Sequence, residues 1–407
     1  MHRRLVARQA VVVARATWYF PLMGVIARLR QRLDRAVRAP AVRELVTWVL
    51  LPFVVQRVLL VLVVFFGATL IPNSRGWHAI PQFAMLDGWL RFDSEYYQTI
   101  AADGYPVGDL GKTVGFFPFY PWLIRIVAVV MPLPYAALLV ANGAAVGAIA
   151  VLYGLARELG DEALARRTVW IVLLFPTSFF LTAAYSESTY LLFAGGAVLA
   201  WRVRRPWLAA LCAAAATMTR PIGVFCFTVP FLAGWLVCRR RLRDLPWLVV
   251  GSSVGAGLIL LTYYLSTGDP FAFLHAPSVR HLRIFWQKEP VPWLDVLADE
   301  GVGRNLMRRL LNWSAVALVG AVTIHLIRRK EIELGLLSLV ALGVPLYFHG
   351  GAFDAASMAR YALAAFPLFI VLARWAPDGL RARGLDLGGQ MVQVVLAVLF
   401  AGWWWAE

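Results

Sequence analysis

The chain alternates long apolar runs with short basic clusters. The runs fall at roughly 45–71, 134–156, 169–185, 188–203, 206–220, 221–238, 246–266, 310–327, 332–349, 361–375 and 388–404, eleven candidate spans. Crossing the hydrocarbon of a bilayer takes about 20 residues of helix. Lipid offers the backbone no hydrogen-bond partners, so such runs are expected as helices that satisfy their own peptide groups. The shorter ones are expected as tilted, broken or partly re-entrant helices. A further apolar stretch, FFPFYPWLIRIVAVVM at 116–131, carries Pro118, Pro121 and Arg125. It is expected as a helix lying at the outer interface or dipping into it. The architecture predicted is therefore an all-α polytopic bundle of about eleven transmembrane helices.

The polar positions between the runs set the expected orientation. Residues 1–44 hold ten arginines against Asp34 and Glu44. They are read as a basic amphipathic segment on anionic headgroups at the cytoplasmic face, in preference to a poor first span at roughly 9–27 broken by Arg15. With the N-terminus inside, the connections Arg157/Arg166/Arg167, Arg202/Arg204/Arg205, Arg239/Arg240/Arg241/Arg243, Arg328/Arg329/Lys330 and Arg374/Arg381/Arg383 all fall on the cytoplasmic side. The short outer turns near 186 and 354 are almost free of base, as the positive-inside rule requires. Two longer outer loops remain, 72–133 and 267–309, and Trp403, Trp404 and Trp405 are expected as an outer interfacial anchor. The transmembrane domain thus covers 45–407. No short apolar core with a small-residue cleavage site marks a secretory signal at the basic N-terminus.

Composition agrees: 60% of residues are apolar, only 15% are charged, and mean hydropathy is +0.68. The net charge of +16 is spread in these clusters and is almost wholly arginine, which argues against a nucleic-acid-binding patch. Cys212, Cys226 and Cys238 lie in or at the end of apolar runs with no CxxC spacing, so they are read as packing residues. His2, His78, His275, His281, His325 and His349 show no metal-ligand spacing, and neither a Walker loop nor a strand-linked GxGxxG occurs.

One stretch breaks the pattern. RFDSEYYQTIAADGY, residues 91–105, places Asp93, Glu95, Tyr96 and Tyr97 just beyond the first span. Asp93 or Ser94 would start a helix and Gly104 with Pro106 would stop it, with Asp93, Tyr97 and Ile100/Ala101 on one face. A purely structural reading makes Asp93 an N-cap and the tyrosines interfacial anchors. Other polar residues collect on the same outer side: Glu187 in AAYSESTY, Arg220 in MTRPIGV, Arg360 and Tyr361 in FDAASMARY, and His349 at the end of a span. Charges at the ends of apolar helices are costly unless they snorkel, pair or line a wet cavity. Their collection on one side predicts an outward-facing polar cavity. Carboxylates facing arginines suit a reaction in which a hydroxyl loses a proton and a phosphate leaves. The carboxylate serves as general base and the guanidinium stabilises the leaving phosphate.

These motifs, in order, resemble the GPI mannosyltransferase II (PIG-V-like) family of membrane glycosyltransferases with the GT-C fold, in its bacterial branch. RFDSEYYQTIAADGY is similar to the family's Trp-Asp segment followed by Tyr, Ile-Ala and Gly-Tyr. FFPFYPWLIR (116–125), FPTSFFLTAAYSES (175–188), MTRPIGV (218–224), GDPFAF (268–273) and SMARYALAAFPLF (357–369) follow in the family's order. The resemblance covers about 90 to 370. Phe92 stands where the family usually has Trp, which weakens a sugar-stacking role for that ring.

The resemblance implies inverting transfer of a mannosyl residue from a polyprenyl-phosphate donor to an acceptor hydroxyl outside the cytoplasm. The acceptor class would be a glycolipid, polysaccharide or protein. By resemblance Asp93 is the general base. Resemblance and charge together make Arg360 and Arg220 candidates for the donor phosphate, with Lys112, Arg280, His281 and Arg283 secondary. Glu187 and Tyr97, with Glu95, Tyr361 and His349, would orient sugar or acceptor. No obligatory metal is implied, although a divalent ion near Asp93 and Glu95 is an alternative. A bacterial cytoplasmic membrane is the expected location. Two other readings stay open from the residues: a transporter or flippase of lipid-linked sugars, and a non-catalytic subunit on the same scaffold.

Overall fold

A computed structural model describes residues 40–70, 78–106, 112–220, 222–238, 245–275, 302–349, 357–377 and 379–404. Among them the structure is helical throughout, without strands. Contacts divide the chain into two units, 1–51 and 52–407. Of the first, the described part is helix α1 (Pro40–Leu45) and a π-helical turn over Val46–Leu50. The amphipathic segment predicted for 1–44 lies almost wholly outside the described residues.

The second unit follows the apolar pattern. Its elements are α2 (Leu51–Leu70), α3 (Ala84–Asp87), α4 (Asp93–Asp103), α5 (Phe119–Val127), α6 (Leu133–Leu159), α7 (Glu162–Leu174), α8 (Glu187–Arg202) and α9 (Pro206–Thr219). Then come α10 (Ile222–Cys238), α11 (Leu245–Thr267), α12 (Ala272–His275), α13 (Val302–Arg328), α14 (Ile332–His349), α15 (Met358–Tyr361), α16 (Pro367–Trp375) and α17 (Leu380–Ala401). Every predicted run contains helix, but not every run is one continuous helix. By length and composition, however, five helices among the described residues are able to cross a membrane, or six if Met358–Ala364 and Pro367–Trp375, bent by 93°, count as one broken span. One of the remaining runs is cut short by a helix breaker. Pro176 follows the end of α7, so the apolar run 169–185 becomes a helix to Leu174 and a separate 3₁₀ turn over Ser178–Leu181.

Breaking a helix in an apolar interior leaves carbonyls without partners. Two glutamines satisfy them here. Gln393 Nε2 donates to Leu173 O at 3.0 Å and Phe175 O at 2.9 Å, and Gln56 Nε2 donates to Leu173 O at 3.1 Å and Gln393 Oε1 at 2.9 Å. Both side chains are buried. They lie within apolar runs whose hydropathy conceals them.

Neighbouring helices of this unit form a closed circuit. α7 packs on α6, α6 on α8, α8 on α9, α9 on α11, α11 on α10, α10 on α14, α14 on α13, and α13 on α16, which returns to α7. Small residues permit the closest approaches. A Cβ at Gly251 would lie 2.1 Å from Ala210 O and 2.6 Å from Ala210 Cα, and one at Gly255 would lie 2.6 Å from Ala214 O. Backbone cannot yield as a side chain does. Gly251→Ala is therefore expected to separate α9 from α11 and cost about 1–3 kcal/mol, read as a lowered thermal midpoint of the detergent-solubilised protein. A midpoint equal to wild type would show that the two backbones are not in contact.

The circuit is antiparallel at α8 and α9, which brings the start of α8, the end of α9 and the short α15 to one end. The described parts of 72–133 fold over that end. α4 packs on α5 and α5 on α6. α5 buries Tyr120, Pro121 and Ile124 and exposes the apolar Trp122 and Ile126, which suits a helix with one face in lipid. The expected anchor of three tryptophans is corrected in part. Trp403 is 5% exposed and packs on Phe92 at 4.9 Å between ring centroids, while Trp405 lies outside the described residues.

Candidate active site

The site is built from four chain segments at this end. α4 begins at Asp93, but the carboxylate does not cap it. The N-cap position belongs to Phe92, whose backbone sits at φ 49°, ψ −114° with no side-chain cap bond. Such a conformation is costly for a residue with a Cβ and persists only where surroundings hold it. The purely structural reading of Asp93 as an N-cap is thereby set aside. The backbone N–H of Asp93 donates to Tyr185 Oη at 3.2 Å, and its carboxylate turns toward α15. Gly104, at φ 81°, ends the helix as its sequence suggests.

Arg360 is the centre of the arrangement. It is 4% exposed. Its Nη1 lies 2.8 Å from Asp93 Oδ2, and its Nε donates to Glu187 Oε1. The guanidinium sits over the Tyr185 ring at 4.5 Å and the Phe180 ring at 5.1 Å. Arg220, at the C-cap of α9, places Nη2 at 3.1 Å from the same Glu187 oxygen, and its guanidinium lies 5.4 Å from the Tyr361 ring. Two carboxylates thus face two guanidiniums, and their formal charges cancel. Both arginines use Glu187 Oε1, while the buried Oε2 has no hydrogen-bond partner among the described residues. The Asp93 side chain is the most open of the four, at 19% exposure against 12% for Arg220, 5% for Arg360 and 1% for Glu187.

Tyr97 completes one wall. Its hydroxyl is 2.7 Å from Ser186 Oγ, and its ring meets Tyr120 edge-on at 4.9 Å and Phe116 at 5.1 Å. Burial, with the nearby Glu187 charge, pushes its phenol well above the ordinary tyrosine value. It stays protonated at neutral pH and retains a donor.

The structure therefore brings together Asp93, Tyr97, Glu187, Arg220, Arg360 and Tyr361. Glu95 does not join them; it is exposed on the outer side of α4. The side chains of Lys112 and His349, and Arg280, His281 and Arg283 entirely, lie outside the described residues. Among the described residues no cluster of three or more potential metal ligands occurs. Sequence reasoning missed Tyr185, Ser186 and Phe180, which flank Glu187 within the quoted 175–188 motif. It also missed Asp87, whose available signal was the i, i+4 spacing to Arg91.

Asp87 is a buried carboxylate, 2% exposed. It accepts from Arg91 Nη2 at 2.6 Å and Ile80 N at 2.9 Å, and its Oδ2 lies 2.7 Å from His78 Nδ1. Burial pushes its carboxyl up, but the hydrogen bonds from Arg91, Ile80 N–H and His78 together outweigh this and hold it below the ordinary value. That stabilisation is present above the unfolded carboxyl's pKa of about 3.9 and is lost as pH falls through the lower folded value.

The profile of the family described as mannosyltransferase (PIG-V) matches residues 79–234. That stretch contains Asp93, Tyr97, Glu187 and Arg220, and ends before Arg360. No curated protein matches the chain. Among solved structures, ArnT from Cupriavidus metallidurans bound to undecaprenyl phosphate superposes over 86% of this chain and 64% of its own, at 17% identity and a TM-score of 0.53. An oligosaccharyltransferase from Archaeoglobus fulgidus, in complex with Zn and sulfate, covers 85% of this chain and 53% of its own at 17% identity, with a TM-score of 0.47. The chain thus spans between about half and two thirds of these structures. At such identity the likeness to ArnT is one of fold, and it bears out the GT-C-like membrane bundle expected from the sequence.

Proposed function

We propose that the protein transfers a mannosyl residue from a polyprenyl-phosphate donor to an acceptor hydroxyl, with inversion and with Asp93 as general base. The observation that carries this reading is the bridge made by Arg360 between Asp93 and Glu187, 2.8 Å from the Asp93 carboxylate. It puts a carboxylate and a guanidinium in direct contact at the most open point of a buried charge cluster, which supports pairing a base with a phosphate-binding group. The family match over 79–234 supports glycosyl transfer and mannose. The undecaprenyl phosphate bound by the similar fold supports a lipid-phosphate donor.

In the proposed step the acceptor oxygen attacks the anomeric carbon as the bond from that carbon to the phosphate oxygen breaks. Asp93 takes the acceptor's proton. The electron pair leaves with the polyprenyl phosphate, whose charge Arg360 and Arg220 stabilise with oriented donors. Glu187 holds both guanidiniums, and the protonated Tyr97 donates toward substrate hydroxyls. A monophosphate leaving group requires no metal in this scheme. The acceptor is a glycolipid, a polysaccharide or a protein, and the protein sits in a bacterial cytoplasmic membrane with the site outward.

The test is transfer of radiolabelled mannose from polyprenyl-phosphate mannose into lipid extract by purified protein, run with and without a chelator. Label transfer that persists in chelator is expected. Loss of all transfer in chelator would return a divalent ion to the mechanism. Orientation is checked by cysteine labelling. Glu95 is exposed, so Glu95→Cys is expected to react with an impermeant maleimide in intact cells. Reaction only after permeabilisation would reverse the topology.

A further inference from the structure

Asp87 and Arg91 take no part in the charge cluster of the candidate site, yet both are buried and charged, at 2% and 3% exposure. A buried ion pair is not a dependable source of stability, because desolvation offsets most of the attraction. Its geometry therefore calls for another account. Arg91 reaches in two directions. Nη2 donates to Asp87 Oδ2 at 2.6 Å, and Nε donates to the carbonyl of Ala401 at 2.8 Å, at the end of α17. The guanidinium also lies 5.4 Å from the Trp403 ring. Asp87 in turn holds Ile80 N–H and His78, tying the start of the outer loop to the same point.

The next residue is Phe92, in its positive-φ backbone conformation. Its ring is held by Phe400 at 5.5 Å and Trp403 at 4.9 Å. On the opposite side Ala184 N donates to Trp89 O at 3.0 Å, and Asp93 N donates to Tyr185 Oη. The segment 87–93 is therefore clamped between the end of the last helix and the 184–185 turn. A strained φ at Phe92 aims the following residue, Asp93, at Arg360.

We infer that Asp87 and Arg91 are positioning residues, forming a strut from the end of α17 that holds the Phe92 turn and so aims Asp93. This deepens the reading of Asp93 as the base and rests on it. It makes the final turn, Phe400 to Trp403, part of the reaction apparatus although it lies far outside the family match. Misplacing a reacting group by about 1 Å costs on the order of 10²-fold in rate, so the strut's effect belongs in turnover rather than in donor binding.

The experiment uses full-length protein in lipid nanodiscs, as wild type, Arg91→Lys and Asp87→Asn. Arg91→Lys keeps the charge beside Asp87 but cannot reach Asp87 and Ala401 together. Turnover and hydrogen–deuterium exchange are both measured. The expected result is a kcat lowered by about 10- to 100-fold in each variant with donor KM changed less than about twofold, and faster exchange confined to amides within 88–95. Unchanged exchange and unchanged kcat in Arg91→Lys would overturn the strut. So would a loss expressed only in donor KM. Should Asp87→Asn fail to fold, Arg91→Lys carries the test alone. If wild type transfers no mannose from the polyprenyl-phosphate donor while exchange at 88–95 still rises in the variants, the mannose-transfer reading fails for that donor and acceptor and the clamp on the turn stands.

Discussion

Asp93→Asn protein is expected to express and fold as wild type and to lose sugar transfer by about 10²–10⁴-fold, the usual contribution of a positioned general base. The substitution preserves shape. It removes the carboxylate that the proposed step needs, and with it the charge facing Arg360 Nη1 at 2.8 Å. The cluster then keeps one uncompensated positive charge, but the Asp93 side chain is its most exposed member and Glu187 still pairs with Arg360. The loss of stability should therefore stay smaller than for removal of Arg360. The comparison is transfer of labelled mannose by the two purified proteins side by side, with thermal midpoints recorded for both. Equal rates would remove Asp93 as base. Inactivity of both would move the inquiry to other donor sugars, a missing acceptor or a non-catalytic scaffold.

Arg360→Ala is expected to have the largest effect on both binding and stability. Its guanidinium makes two charge-assisted contacts, to Asp93 and to Glu187. Removing one partner of a buried ion pair typically costs about 3–5 kcal/mol. The lower end is expected here, because Arg220 still faces Glu187 Oε1 at 3.1 Å. If the same guanidinium also binds the donor phosphate, losing hydrogen bonds worth about 1.5–3 kcal/mol each raises donor KM by roughly 10- to 100-fold. Acceptor KM should move less than twofold. Arg360→Lys separates the two effects. A lysine keeps the charge and much of the stability, but it lacks the planar fork that bridges two carboxylates. It should fold better than the alanine variant while retaining most of the donor defect. A change confined to acceptor kinetics would take Arg360 out of the donor site.

Much of this protein was legible along the chain because hydropathy is a local property. Each apolar run gave at least one helix, and α4 began and ended where Asp93 and Gly104 suggested. The boundaries of function were less legible. Pro176 split one run in two, and the 93° bend between Met358–Ala364 and Pro367–Trp375 turned another into a broken span. A window average registers neither. Gln56 and Gln393, 337 residues apart, vanish into their hydropathy windows yet satisfy the carbonyls that the first break exposes.

The candidate site divides in the same way. Composition, run length and motif order determined the helical membrane class and singled out Asp93, Tyr97, Glu187, Arg220, Arg360 and Tyr361 as charged or aromatic groups at apolar helix ends. Their pairing was beyond the sequence. Glu187 and Arg360 stand 173 residues apart, and Arg91 and Ala401 stand 310 apart. Which acid meets which base depends on how the helices pack and where each is broken. Trp403 illustrates the limit. As a tryptophan at the end of an apolar run it signals an interface, but packing placed it under Phe92, against the turn that aims Asp93. Local free energies of transfer decide which segments become helices; only the packed tertiary structure decides which few polar atoms they bring within hydrogen-bonding distance.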